Sequence, residues 1–111
     1  MTNKKIQNFI NEKSSLITKV LLHNYDSADF DIHFSQIEKE IFQIALSYAD
    51  IFFFENNYLD EKMRKEFISR IISRFNVKEK IVLKMNDNNL LAHYIKAEVV
   101  EKLRDNNFLL V

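Results

Sequence analysis

The sequence predicts an all-α fold, a compact bundle of four to five helices around a central apolar helix at about residues 31–54. Three observations predict it. The chain has no glycine and no proline, whereas ordinary proteins hold about 7% and about 5% of them. Hairpin turns lean on glycine, so this chain suits helices joined by Asn- and Asp-containing links. Apolar residues also recur at intervals of three and four along most of the chain. Finally, the stretch 34–53 is apolar around well over half of a helical circumference, which obliges other helices to cover it on two sides.

The first helix is expected over about Asn3 to His23, on the recurrence of Ile6, Phe9, Ile10, Leu16, Ile17, Val20 and Leu21. Lys13 interrupts that stripe. Its expected role is to lay its stem on the core and reach water with its amine; a buried ion pair with an acid of another helix is the alternative. A polar link, Asn24 to Asp29, follows. The second helix starts near Asp29 to Asp31, either of which can cap it; Ser35-Gln36-Ile37-Glu38 also fits a capping box. It runs to about Phe54, with Gln36, Lys39, Glu40, Gln43, Ser47 and Asp50 as its polar stripe. Asn56-Asn57 ends it in place of glycine.

The third helix runs from its cap at about Asp60 to Phe75, with Met63, Phe67, Ile68, Ile71, Ile72 and Phe75 on its apolar face. Val77 to Met85 reads as a short helix capped by Asn76, with a strand as the alternative. Asn86-Asp87-Asn88-Asn89 reads as the clearest turn in the chain. The last helix covers about Leu90 to Arg104 and carries two apolar faces. Leu91, Ala92, Ile95, Val99 and Leu103 make one, and Leu90, Tyr94, Ala97 and Val100 make the other. A tail over 106–111 then ends on Phe108, Leu109, Leu110 and Val111.

The 111 residues form one domain of ordinary size, 1–111. Apolar residues at 47% and charged residues at 29% argue against disorder. The absence of cysteine excludes a disulfide framework and thiolate chemistry, and suits the cytoplasm. Met1 to Lys5 leads into spaced apolar residues, so no signal peptide is expected. The most apolar stretch, Ile41 to Phe54, is about 14 residues long and holds Gln43, Ser47 and Asp50; a membrane span needs about 20.

The balance of 16 bases and 16 acids is unevenly placed. Residues 1–22 carry Lys4, Lys5, Lys13 and Lys19 against Glu12, a net of +3. Residues 23–61 carry Lys39 against nine acids, a net of −8, and residues 62–84 carry eight bases against Glu66 and Glu79, a net of +6. The plainest account is weak pairing between neighbouring helices. The functional account is an anionic or nucleic-acid partner held by Lys62, Lys65, Arg70, Arg74, Lys78, Lys80 and Lys84, with Ser69 and Ser73 adding hydroxyl contacts to phosphates. A pI of about 6.8 falls below the value above 9 usual for nucleic-acid domains.

Several chemistries drop out by residue type. Without glycine there is no phosphate loop, dinucleotide fingerprint or nucleophile elbow. The cluster His23, Asp26, Asp29, Asp31 and His33 holds ligand-type residues, but at helix ends where aspartate is expected for capping. His93 reads as an ordinary packed or surface imidazole. Asp50 continues the polar stripe and Glu38 lies in a wet first turn, so neither suits acid–base work. No catalytic residue, cofactor or metal is expected.

The expected function is therefore a non-enzymatic regulator or inhibitor that binds another protein, or a second copy of itself, through helix surfaces. Immunity-type proteins, phage or plasmid accessory factors and complex subunits are of this kind. The candidate contact residues are Leu90, Tyr94, Ala97, Val100, Phe108, Leu109 and Leu110. The alternative is a DNA-binding regulator with Val77 to Met85 and Leu90 to Arg104 as a helix-turn-helix. The run from Tyr94 to Val111 resembles the passage from recognition helix to wing in winged-helix regulators. It departs from them at Asp87, polar where they bury an apolar residue, and it stops before a wing hairpin, so the family is not assigned.

Overall fold

A computed structural model describes residues 3–75 and 77–106. They form five helices, α1 (Asn3–Asn24), α2 (Ser27–Glu55), α3 (Glu61–Phe75), α4 (Glu79–Val82) and α5 (Asp87–Asp105). Among the described residues there is no strand.

The helix starts follow from side-chain caps. α2 begins earlier than expected because Asp26 is its cap. The Asp26 carboxylate accepts the Asp29 N–H at 2.9 Å, and the Asp29 carboxylate accepts the Asp26 N–H at 3.0 Å. This reciprocal pair satisfies two otherwise free donors. The helix breaks stride at His33 (φ −114°, ψ 22°), and the alternative start at Ser35 falls two residues past that break. Before it, Phe30 is buried and meets the Tyr25 ring edge-on at 5.8 Å. Asp60 caps α3 as expected, accepting the Met63 N–H at 2.8 Å.

The run 86–89 is not a free turn. Asn86 caps α5 by accepting the Asn89 N–H at 2.8 Å, and Asp87 opens the helix. α4 keeps only one turn of the expected Val77 to Met85 helix. Its expected cap, Asn76, lies outside the described residues.

The centre of the bundle is α5 rather than α2. α5 packs on α1, α2 and α3, while α2 packs on α5 and α1. Leu90, Leu91, Ala92, Ile95, Val99 and Leu103 of α5 are all fully buried. The larger core joins Ile6, Ile10, Ile17 and Leu21 of α1, Ile37, Ile41, Ala45 and Phe52 of α2, and Met63 and Phe67 of α3 to one face of α5. A second core of Ile68, Ile71, Val82 and Leu90 ties α3 and α4 to its other face. The wide apolar arc of α2 and the two apolar faces of α5 both call for cover, and α5, packed on three helices, is the one enclosed. On α1, the buried Ser14 and Thr18 donate to their own helix, Thr18 Oγ1 to the Ser14 carbonyl at 2.7 Å and Ser14 Oγ to the Asn11 carbonyl at 3.1 Å.

Lys13 takes the expected snorkelling role, with an aromatic addition. Its amine lies 4.9 Å from the Tyr48 ring centre and 5.6 Å from that of Phe9, and its carboxylate contact is its own neighbour Glu12 at 3.3 Å.

Candidate interaction surfaces

The second face of α5 is turned inward. Leu90 is 0% exposed, Tyr94 3% and Ala97 5%. The Tyr94 ring lies 4.7 Å from that of Phe67 on α3, and Val100 is half-buried. Leu90, Tyr94 and Ala97 are thus covered within the same molecule, with Leu90 and Tyr94 against α3. Phe108, Leu109 and Leu110 lie outside the described residues.

The same burial bears on DNA docking. A recognition helix needs one face free to enter the major groove. α5 is enclosed by three helices and its would-be supporting helix is a single turn.

The basic residues divide into three groups. Arg74 is engaged inside the fold, with its guanidinium 3.0 Å from Glu98 and 3.2 Å from Glu101 of α5. Lys62, Lys78, Lys80 and Lys84 stand exposed along α3 and the segment after it. Lys65 and Arg70 border an open cleft of about 730 Å³ between α1 and α3, and here Lys4 and Gln7 of α1 join them. Nothing in the sequence pairs residues 4 and 7 with 65 and 70, because the pairing arises only when both helices rest on α5. Ser69 lines this cleft, whereas Ser73 donates to the Arg70 carbonyl at 2.9 Å.

A second surface runs along the outer seam of α1 and α2. The two helices are antiparallel neighbours, fixed by Phe9 against Phe52 at 4.6 Å, Lys13 against Tyr48, and the Tyr25 hydroxyl donating to Glu40 at 2.9 Å. The bond to Glu40 raises the Tyr25 pKa above its ordinary value. On α1 the positions 9, 13, 16 and 20 share one stripe, and on α2 so do 44, 48 and 51. These stripes leave Leu16 42% exposed, Val20 51%, Ile44 37% and Ile51 54%. The sequence placed Leu16, Val20 and Ile44 in the core, since an apolar residue at helical spacing carries no mark of which side of the helix is covered. The signal was the excess width of the apolar arc.

Several of the remaining polar groups serve the fold. Asp26 and Asp29 cap α2, and among the described residues no group of three or more His, Asp or Glu is placed to hold a metal ion. Asp50 accepts from the Asn88 side chain at 2.6 Å, and Glu38 lies 3.7 Å from Lys96. His93 packs on the Phe42 ring at 4.7 Å, and burial, followed by the nearby Lys96, lowers its pKa below the ordinary histidine value. Burial raises the Tyr94 hydroxyl above its usual value, against the pull of Arg70. Among the described residues, no helix is long and apolar enough to cross a membrane.

Comparison with protein-family models, curated proteins and solved structures finds no match.

Proposed function

We propose that this chain is a non-enzymatic interaction protein of the regulator or inhibitor kind, working as a dimer whose subunits meet along the α1/α2 seam. One observation carries the reading: Leu16, Val20, Ile44 and Ile51 are large apolar residues left open to water on neighbouring stripes of two packed helices. Grouped apolar surface of this sort marks association sites.

Charge favours a second copy as the occupant. α1 carries Lys4, Lys5, Lys13 and Lys19 against Glu12, whereas α2 carries Asp29, Asp31, Glu40 and Glu55 against Lys39, besides Glu38 and Asp50, which turn to Lys96 and Asn88 of α5. A two-fold axis running along the seam lays the basic α1 of each copy on the acidic α2 of the other. Like charges are thereby kept apart, and the four apolar residues of each copy cover those of its partner.

Sedimentation equilibrium tests this. The parent chain should dimerise, and Leu16→Glu with Ile51→Glu should be monomeric with an unchanged helical circular-dichroism spectrum. Both positions are exposed, so the fold tolerates the change. A parent chain that stays monomeric at high micromolar concentration, or a double variant that still dimerises, overturns the reading.

A further inference from the structure

We infer that the cleft between α1 and α3 is a binding site for a phosphate-bearing ligand of small-molecule size. Lys4 reaches it from α1, and Lys65 and Arg70 from α3. Glu66 is the acid among its described lining residues, so three cations face one carboxylate, a balance that suits a dianion. Gln7 and Ser69 add neutral hydrogen-bonding groups of the kind that accompany charged contacts to phosphate oxygens.

The cations are held in a way that favours binding. Arg70 lies over the Tyr94 ring, 5.7 Å from its centre, which fixes the guanidinium with its N–H edges still available. Phe67 and Tyr94 form a buried apolar base beneath the cleft. Water is thus excluded from one side, and charges above such a base attract an anion more strongly than on an open surface. The contact between Lys65 and Glu61 at 3.4 Å joins two side chains that are each about three-quarters exposed or more. Such a pair is worth little, so Lys65 can exchange it for a ligand oxygen. The cleft of about 730 Å³ lies within the roughly 300–1,000 Å³ of small-molecule sites.

Phosphate groups reach proteins on free phosphorylated molecules and on nucleic-acid backbones, and one set of titrations separates the two. Inorganic pyrophosphate, adenosine monophosphate and a single-stranded oligonucleotide are titrated into isotope-labelled protein at low salt and followed by amide shifts. The expected result is saturable binding of pyrophosphate and the mononucleotide, with shifts centred on Gln7, Ser69 and Arg70. Lys65→Met with Arg70→Met should weaken it by about tenfold or more, as loss of charge-assisted bonds does. Lys80→Met with Lys84→Met should leave it unchanged. Oligonucleotide binding that displaces pyrophosphate and fails in the first variant supports the site and names backbone phosphate as its source. Absence of saturation, or equal weakening in both variants, overturns the inference. Failure here leaves the α1/α2 dimer untouched, since none of the seam residues is altered.

Discussion

The Arg64 guanidinium meets the Asp87 carboxylate at 2.6 Å, and this one pair ties four segments of the chain together. The other Asp87 oxygen accepts the Leu59 N–H at 2.9 Å, in the link between α2 and α3. Arg64 also donates to the carbonyls of Met85 and Leu83, between α4 and α5. Both side chains are largely covered. Asp87→Ala is expected to cost about 2 kcal/mol, since it orphans a half-buried cation and a backbone donor. Urea unfolding of Asp87→Ala, Arg64→Met and the double variant checks this. The double variant should lose less than the sum of the singles, because no charge is left unpaired; strictly additive losses would contradict the coupling.

The enclosure of α5 sets the ranking of core substitutions. Leu91→Ala and Ile95→Ala each create a void where three helices meet and should cost about 3 kcal/mol. Ile44→Ala, partly in water on the seam, should cost under about 1 kcal/mol in the monomer. Denaturant midpoints at low protein concentration, where no association contributes, measure both.

The start of α2 can be located by its caps. Asp26→Ala should destabilise by about 1 kcal/mol, the usual cost of losing an N-cap side chain. Ser35→Ala, eight positions into the helix, should stay within about 0.5 kcal/mol. Thermal melts of the two variants decide between Asp26 and Ser35 as the point where the helix begins.

His93 imposes a pH dependence of known sign. Its folded pKa is lowered, chiefly by burial, so the unfolded chain takes up the proton more readily. Stability is full above about pH 6.5, the unfolded value, and falls as pH drops from there toward the depressed folded value. The groups facing the imidazole are Lys96 on α5 and Glu38, Lys39 and Phe42 on α2. His93→Gln should flatten this part of the profile, read as urea midpoints above and below the window. A profile identical to that of the parent would remove His93 as the cause.

Local chemistry made much of the fold legible in the sequence. Asp60 and the apolar face of Met63, Phe67, Ile68 and Ile71 set α3 almost to the residue. Asp29, Asp31 and Ser35 read as the possible starts of α2, and the helix instead begins at Asp26, whose reciprocal bonding with Asp29 depends on backbone geometry rather than residue type. The Asn-rich run 86–89 reads as a turn because its residue types favour turns, whereas its side chains are engaged by Asn89 N–H and Arg64. Long-range pairing was the illegible part. Arg70 and Arg74 are alike in sequence, yet α5 places Glu98 and Glu101 beside Arg74 and the Tyr94 ring beneath Arg70. The same limit hid Lys4 at the cleft and Leu16 on the seam, since which side of a helix is covered depends on helices far away in the chain.

α5 follows the other four helices in chain order, yet it is the surface against which α1, α2 and α3 bury their apolar sides. A polypeptide emerging from the ribosome therefore displays three greasy helices with no common partner until residues 87–105 have been made. Such species recruit chaperones and aggregate. A frameshift or stop between residues 75 and 87 should yield no smaller folded product, only material for proteolysis. Assembly of this bundle is therefore expected to be a late closure on α5 rather than a stepwise accretion from the amino end.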